Sequence, residues 1–192
     1  DRRDDPAFPS EGWIVRLGFD SSVKALGATK DLLEGSIGVG AYHPIASFQG
    51  HPVILFTGLE TRAVSAIGTD GAVPIQRRLF LGGPDSVRSF APERLGPLNF
   101  LDTPEGGELS IEATVELRFN LLGDLWGVVF FEGGLLESRL GRYSDEAPGF
   151  GVGTGLRYRT PVGPIRLEIA FNPDPERDRD QDLFEILFTI GF

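Results

Sequence analysis

The sequence predicts an all-β, antiparallel protein of eight strands, and three observations predict it. Apolar and polar residues alternate over long runs, turn-forming glycines and prolines separate those runs, and no stretch carries a convincing helical period. The clearest run is Glu108–Leu121. There Leu109, Ile111, Ala113, Val115, Leu117 and Phe119 are all apolar, while Glu108, Ser110, Glu112, Thr114, Glu116, Arg118 and Asn120 are all polar. Successive side chains of a strand point to opposite faces, so this run has one greasy and one wet face.

The other strands follow in order. Trp13, Val15, Leu17 and Phe19 alternate with Arg16, Gly18 and Asp20; Ile37, Val39 and Ala41 alternate with Ser36, Gly38 and Gly40. A third strand runs roughly from Pro52 to Ile67, with Glu60 and Arg62 on its polar side, and Glu108–Leu121 is the fourth. Trp126–Leu136 is a fifth, richer in aromatics. In Gly149–Thr160, Phe150, Val152, Thr154, Leu156 and Tyr158 oppose Gly151, Gly153, Gly155, Arg157 and Arg159. Ile165, Leu167, Ile169 and Phe171 oppose Arg166, Glu168 and Asn172, and the last strand carries Phe184, Ile186, Phe188, Ile190 and Phe192 on one face.

Connections sort into two kinds. Those at His43–His51, Leu121–Asp124 and Thr160–Pro164 are short; those at Ser22–Lys30, Gly68–Gly107, Ser138–Pro148 and Asn172–Gln181 are longer and more polar. Short turns at one end and long loops at the other are the habit of outer-membrane barrels, with the short turns periplasmic. An even strand count then places both termini on the periplasmic side. Alternation alone fits a soluble barrel or sandwich with its apolar face inward equally well. Two features favour apolar outward. Charges and the glycine row Gly151, Gly153, Gly155 on the polar side suit a lumen packed against a plug, and Trp13, Trp126, Tyr158, Phe171 and Phe192 near strand ends suit interfacial girdles. The fold class expected is an antiparallel transmembrane β-barrel wall of eight strands, either half of a sixteen-stranded barrel or a small closed barrel.

At 192 residues the chain is one domain, residues 1–192. Its net charge of −10 and its lack of a Lys/Arg stripe argue against nucleic acid. No run of about 18 apolar residues marks a spanning helix. There is no cysteine, which excludes disulfides and thiol chemistry. The chain opens on Asp1 rather than Met, as a mature or excised product would. His43 and His51 are read as turn residues rather than metal ligands, and neither is placed for Ser–His chemistry. "GDLWG" and "GVGTG" lack the following helix that a phosphate loop needs. The acidic Asn172–Asp182 stretch could hold calcium, but a solvated loop is the better reading. No metal, no cofactor and no enzymatic activity are expected.

Several motifs in order resemble the outer-membrane protein 85 superfamily, the family of BamA, TamA and the two-partner secretion transporters. "LFLGGPDSVRSF" at Leu79–Phe90 resembles its loop motif, with Gly82, Gly83, Arg88 and Phe90 at the motif positions. "VFFEGG" at Val129–Gly134 is similar to its F-x-D-x-G strand motif, and Gly151–Phe171 to its G-x-G-x-R-x-x-T-P-x-G-P-x-R segment. The opening "DRRDDPAFPSEGW" resembles a mid-barrel segment and "FTIGF" the closing strand. The resemblance implies the second half of a sixteen-stranded barrel, in a short form lacking the periplasmic repeat domains. It implies that the loop within residues 68–107 folds into the barrel, where Arg88 meets Glu132 first and Glu116 second. Ser89 stands where the family has Gly, which implies a strained loop tip if that residue needs φ > 0. The terminal aromatic Phe192, with Phe188 and Ile190 on the same face, is the implied assembly signal.

The implied function is outer-membrane protein assembly and insertion, or polypeptide translocation, in the outer membrane of a Gram-negative bacterium or derived organelle. A passive anchor or pore subunit pairing with another barrel half is the alternative, and a soluble lipid-binding barrel a third reading. Expected partners are the lipid bilayer, the outer-membrane assembly machinery, and a second copy or another barrel half.

Overall fold

The structure is a computed structural model that describes residues 1–24, 30–48, 50–68, 71–141, 147–161, 163–173 and 183–191. Its strands are β1 Gly12–Ser22, β2 Leu32–Phe48, β3 His51–Ala66, β4 Leu109–Leu122, β5 Leu125–Glu137, β6 Gly149–Tyr158, β7 Ile165–Phe171 and β8 Phe184–Ile190. They form one sheet in sequence order, each strand antiparallel to its neighbours. Short connections after β2, β4 and β6 alternate with longer ones after β1, β3, β5 and β7, as expected.

Register carries the alternation from strand to strand. Val115 pairs with Phe131 and Leu117 with Val129 on one face, while Thr114 pairs with Glu132 and Glu116 with Phe130 on the other. The first face is bare. Leu17, Phe19 and Ile186 are each more than 70% exposed, at 77%, 74% and 72%. A contiguous apolar surface of this extent needs lipid or another apolar cover. Phe171 and Phe184 add an aromatic pair at the loop end, ring centroids 5.2 Å apart. The wall is therefore a transmembrane one with its greasy side out. Spin labels at Leu117 and at Thr114 are expected to report lipid and water access respectively; equal access at both would refute this assignment.

Three expectations need correction. The small closed barrel does not form: among the described residues β1 and β8 are the two sheet edges and do not pair with each other. An eight-stranded barrel is filled by its own side chains, and here the loop between β3 and β4 occupies that space. The His43–His51 connection is not a loop, because β2 continues to Phe48 and β3 begins at His51. Pro44 has no N–H for a ladder, and it sits where the register shifts, which lets pairing resume at Ala46–Val53. Trp126 is not a girdle residue. It shares the phase of Val128, Phe130 and Glu132 and lies opposite Arg157 on the inner face.

The core lies between this inner face and the loop. Leu32, Val64 and Leu136 from the wall pack with Val73, Leu79, Leu81, Val87, Phe90 and Leu95 from the loop, all nearly inaccessible. The loop has its own backbone frame, in which Leu79 and Gly107 exchange two 2.8 Å hydrogen bonds and Leu95 donates to Leu81 at 3.0 Å. A second cluster, Val128, Phe130 and Ala170, lines the wall nearer the turns. What the lipid side leaves exposed, the loop side buries.

Candidate functional site

The loop turns inward at Gly82 and Gly83, with φ of 110° and 96°. A Cβ on Gly82 would lie 2.3 Å from the Ala91 carbonyl oxygen, so the turn demands glycine on both conformational and spatial grounds. Gly83 donates to the Phe90 carbonyl at 2.8 Å, which closes the turn and sets Arg88 at its inner side. Phe90 is buried in the loop core and lies over Gly149, where a Cβ would come within 2.5 Å of its ring.

Arg88 reaches three carboxylates on three strands. Its Nε lies 2.9 Å from Glu132 Oε2 on β5, its Nη2 2.9 Å from Glu116 Oε1 on β4, and its Nη1 2.9 Å from Glu168 Oε2 on β7. Its guanidinium carbon also stands 3.6 Å from the centroid of the Phe130 ring. The Ser89 amide donates to the second Glu132 oxygen at 3.1 Å. All four charged side chains are at most 7% exposed.

The cluster extends outward. Arg157 donates to Glu168 Oε1 at 2.8 Å and to both Glu116 oxygens at 3.1 and 2.9 Å, and Arg118 donates to Glu116 Oε2 at 2.8 Å. Three arginines therefore face three glutamates, and their formal charges cancel within one network. A buried carboxylate without a cation is costly, whereas a paired and fully hydrogen-bonded one is tolerated. The arrangement fastens a loop across three strands and fixes its orientation through the forked geometry of guanidinium.

Glycines on β6 make room for this. A Cβ on Gly151 would lie 1.8 Å from Ser89 Oγ, one on Gly153 2.1 Å from the Phe130 ring, and one on Gly155 2.6 Å from Glu168 Cγ. The Ser89 side chain fills the space that Gly151 leaves. Its backbone is not in the left-handed region, since Glu93 and Asp102 are the non-glycine residues with positive φ among those described. The strain considered for Ser89 is absent for that reason. A second tether lies beside the first, where Ser86 Oγ donates to Glu112 Oε2 at 2.6 Å.

The structure brings Arg88, Glu116 and Glu132 together. It adds Glu168, Arg157 and Arg118, which sequence reasoning did not select; their one signal was position on the polar phase of a strand. Phe188 and Ile190 lie on the exposed face of β8, and Phe192 falls outside the described residues. The candidate calcium stretch also lies largely outside them. Among the described residues, no group of three His, Cys, Asp or Glu is placed to hold a metal ion.

An apolar-out antiparallel wall with a loop clamped to its inner face defines a transmembrane β-barrel protein with an internal plug loop. The chain belongs to the Omp85 superfamily, whose domain profile matches residues 1–192. It is 25% identical over 199 aligned positions to the outer membrane protein assembly factor BamA of Nitratidesulfovibrio vulgaris strain Hildenborough, covering 100% of this chain and 24% of that protein. It is 30% identical over 119 positions to the chloroplastic outer envelope protein 80 of Arabidopsis thaliana, covering 58% of this chain and 14% of that one. Among solved structures it resembles BamA from Haemophilus ducreyi lacking POTRA domains 1–3, with a TM-score of 0.77, 17% identity, and coverage of 98% of this chain and 39% of that chain. The chain thus spans about a quarter or less of the length of these curated relatives.

Proposed function

We propose that this chain forms half the wall of a sixteen-stranded outer-membrane barrel that assists the assembly and insertion of other outer-membrane proteins, or the translocation of polypeptides. The observation that carries this reading is the Arg88 clamp, which holds a folded loop against the inner wall by carboxylates from β4, β5 and β7. The assembly-factor relative supports it. Such work displaces polypeptide rather than making or breaking covalent bonds, so no catalytic residue or cofactor is assigned.

The edges carry the partner proposal. Unpaired backbone groups of β1 and β8 would cost several kcal/mol each in lipid, so a second copy or another barrel half closes the wall. Short turns and both termini face the periplasm, following barrel habit. Phe192, with Phe188 and Ile190, serves as the signal read by the outer-membrane assembly machinery. One observation favours a passive anchor instead: the loop packs onto the loop-end part of the inner face, against Leu32, Val64 and Leu136, and obstructs passage there.

Reconstitution separates the two. Proteoliposomes containing the chain are expected to insert an unfolded client barrel faster than protein-free liposomes, with the gain lost in Arg88→Ala; no acceleration by the unaltered protein would leave the anchor reading. Cysteines at Val15 on β1 and Ile186 on β8 test the edges. Disulfides between chains are expected, and disulfides within single chains alone would refute a wall shared between copies.

A further inference from the structure

Below the clamp, toward the turn end, the inner wall and the N-terminal segment enclose an open chamber of about 980 Å³. Across its wall runs one register row: Asn120 opposite Trp126, Trp126 opposite Arg157, and Arg157 opposite Arg166. The three arginines of the clamp network are matched by three glutamates, which leaves Arg166 as a fourth cation in the same field with no carboxylate paired to it among the described residues. Arg166 Nε is sealed from solvent and has no hydrogen-bond partner. The indole Nε1 of Trp126 is in the same condition.

Two orphaned donors lining one chamber are not accounted for by the clamp. Burying a guanidinium donor without an acceptor is unfavourable, and a neighbouring like charge from Arg157 makes it more so. Nearby carboxylates are engaged elsewhere. Asp4 accepts the Ser10 and Glu11 amides at 2.9 and 3.1 Å. Slight burial works to raise its pKa, but these bonds and the Ser10 hydroxyl outweigh it and bring the group down to about 2. Asp5 accepts the amides of Ala7 and Phe8 and lies 3.8 Å from Arg159. Glu116 on the lining is taken up by the clamp, and Asp85, at the loop's edge of the chamber, is exposed to water.

We propose that the Trp126–Arg157–Arg166 row binds an oxyanion, a phosphate or carboxylate group, that neutralises Arg166 and accepts from the Trp126 indole. Neighbouring strands lie about 4.8 Å apart, so Trp126 and Arg166 flank Arg157 from about 10 Å apart, and an anion over the middle of the row is within reach of both. The chain as a whole carries a charge of −10, so anion attraction here is a property of this row and not of the molecule's net field. The site does not depend on which polypeptide, if any, the barrel handles.

The test uses the refolded full chain. The two tryptophans are Trp13 and Trp126, and Trp13→Phe, at an outward position, leaves Trp126 as the sole reporter. Titration with inorganic phosphate at constant ionic strength, against chloride, is expected to give a saturable change in emission. Arg166→Gln should weaken it at least tenfold and Arg166→Lys much less, while Arg62→Gln, in the separate group with Glu60 and Glu112, should leave it unchanged. Acetate as a second probe distinguishes the source: response to phosphate alone assigns a phosphate such as a lipid headgroup carries, and equal response to acetate assigns a carboxylate. Trp126→Phe, which keeps the ring in place, provides a variant that does not disturb the charges. Followed by phosphorus NMR line broadening, it should bind phosphate several-fold more weakly. No saturable response beyond chloride, or affinity unaltered in both Arg166→Gln and Trp126→Phe, overturns the proposal.

Discussion

Replacing Arg88 with alanine is expected to release the loop from the inner wall and to destabilise the protein by about 3–5 kcal/mol, the usual cost of removing one partner of a buried ion pair. The direction follows from what is left behind. Glu132 is 1% exposed and would be left with backbone amides alone as donors, the Ser89 amide among them. Glu116 and Glu168 would keep Arg157, so the loss falls hardest on β5. Phe130 would lose the cation over its ring, a smaller effect of about 0.5–2 kcal/mol. Urea unfolding of the refolded protein measures the total, and trypsin cleavage at Arg94 in the folded protein reports loop release. The double variant Arg88→Ala, Glu132→Gln should recover part of the loss, because a neutral amide no longer needs a cation. A cost below about 1 kcal/mol, the range of solvent-exposed pairs, would mean that the clamp is not buried in the working protein.

Adding one methyl group at Gly153 is the second large effect expected. The new Cβ would lie 2.1 Å from the Phe130 ring and 2.6 Å from the Ile169 carbonyl oxygen. The ring can move, but the carbonyl belongs to the paired β6–β7 ladder and cannot retreat without breaking register. Overpacking of this kind costs about 1–3 kcal/mol, and Phe130 cannot shift without dragging its contact with Arg88. Gly153→Ala should therefore loosen the loop as well as the wall, read by the same trypsin assay. Phe130→Leu in the same chain shortens the opposing side chain and should restore part of the stability. Wild-type stability in the single variant would show that wall and loop are not in close contact at this row.

The alternation of Glu108–Leu121 was enough to assign each residue of β4 to a face, because the two-residue period of a strand leaves no freedom once one position is placed. The same held for β6, where glycines on the polar phase signalled close approach by another element. It failed at Trp126. Aromatic character suggested a girdle, and only phase counted from Glu132 and Phe130 puts the indole inside. It failed also at His43, because alternation breaks down where Pro44 forces a register shift that lets the strand continue.

What the sequence by itself determined was the class of wall, its strand order, and the family motif that brings Arg88 inside. Local periodicity and turn chemistry are written in neighbouring residues, and a motif carries its geometry with it. The tertiary structure alone decided that Glu168 joins Glu132 and Glu116 around Arg88. Glu168 lies 80 positions away along the chain, on a strand that neither the loop motif nor local periodicity ties to Arg88. The choice depends on register across β4 to β7 and on the depth to which the loop descends, and both are set by the summed packing of the inner face. It also decided that Arg166 lies beside Arg157 in one register row, with its Nε unpartnered among the described residues, because both depend on register across β6 and β7.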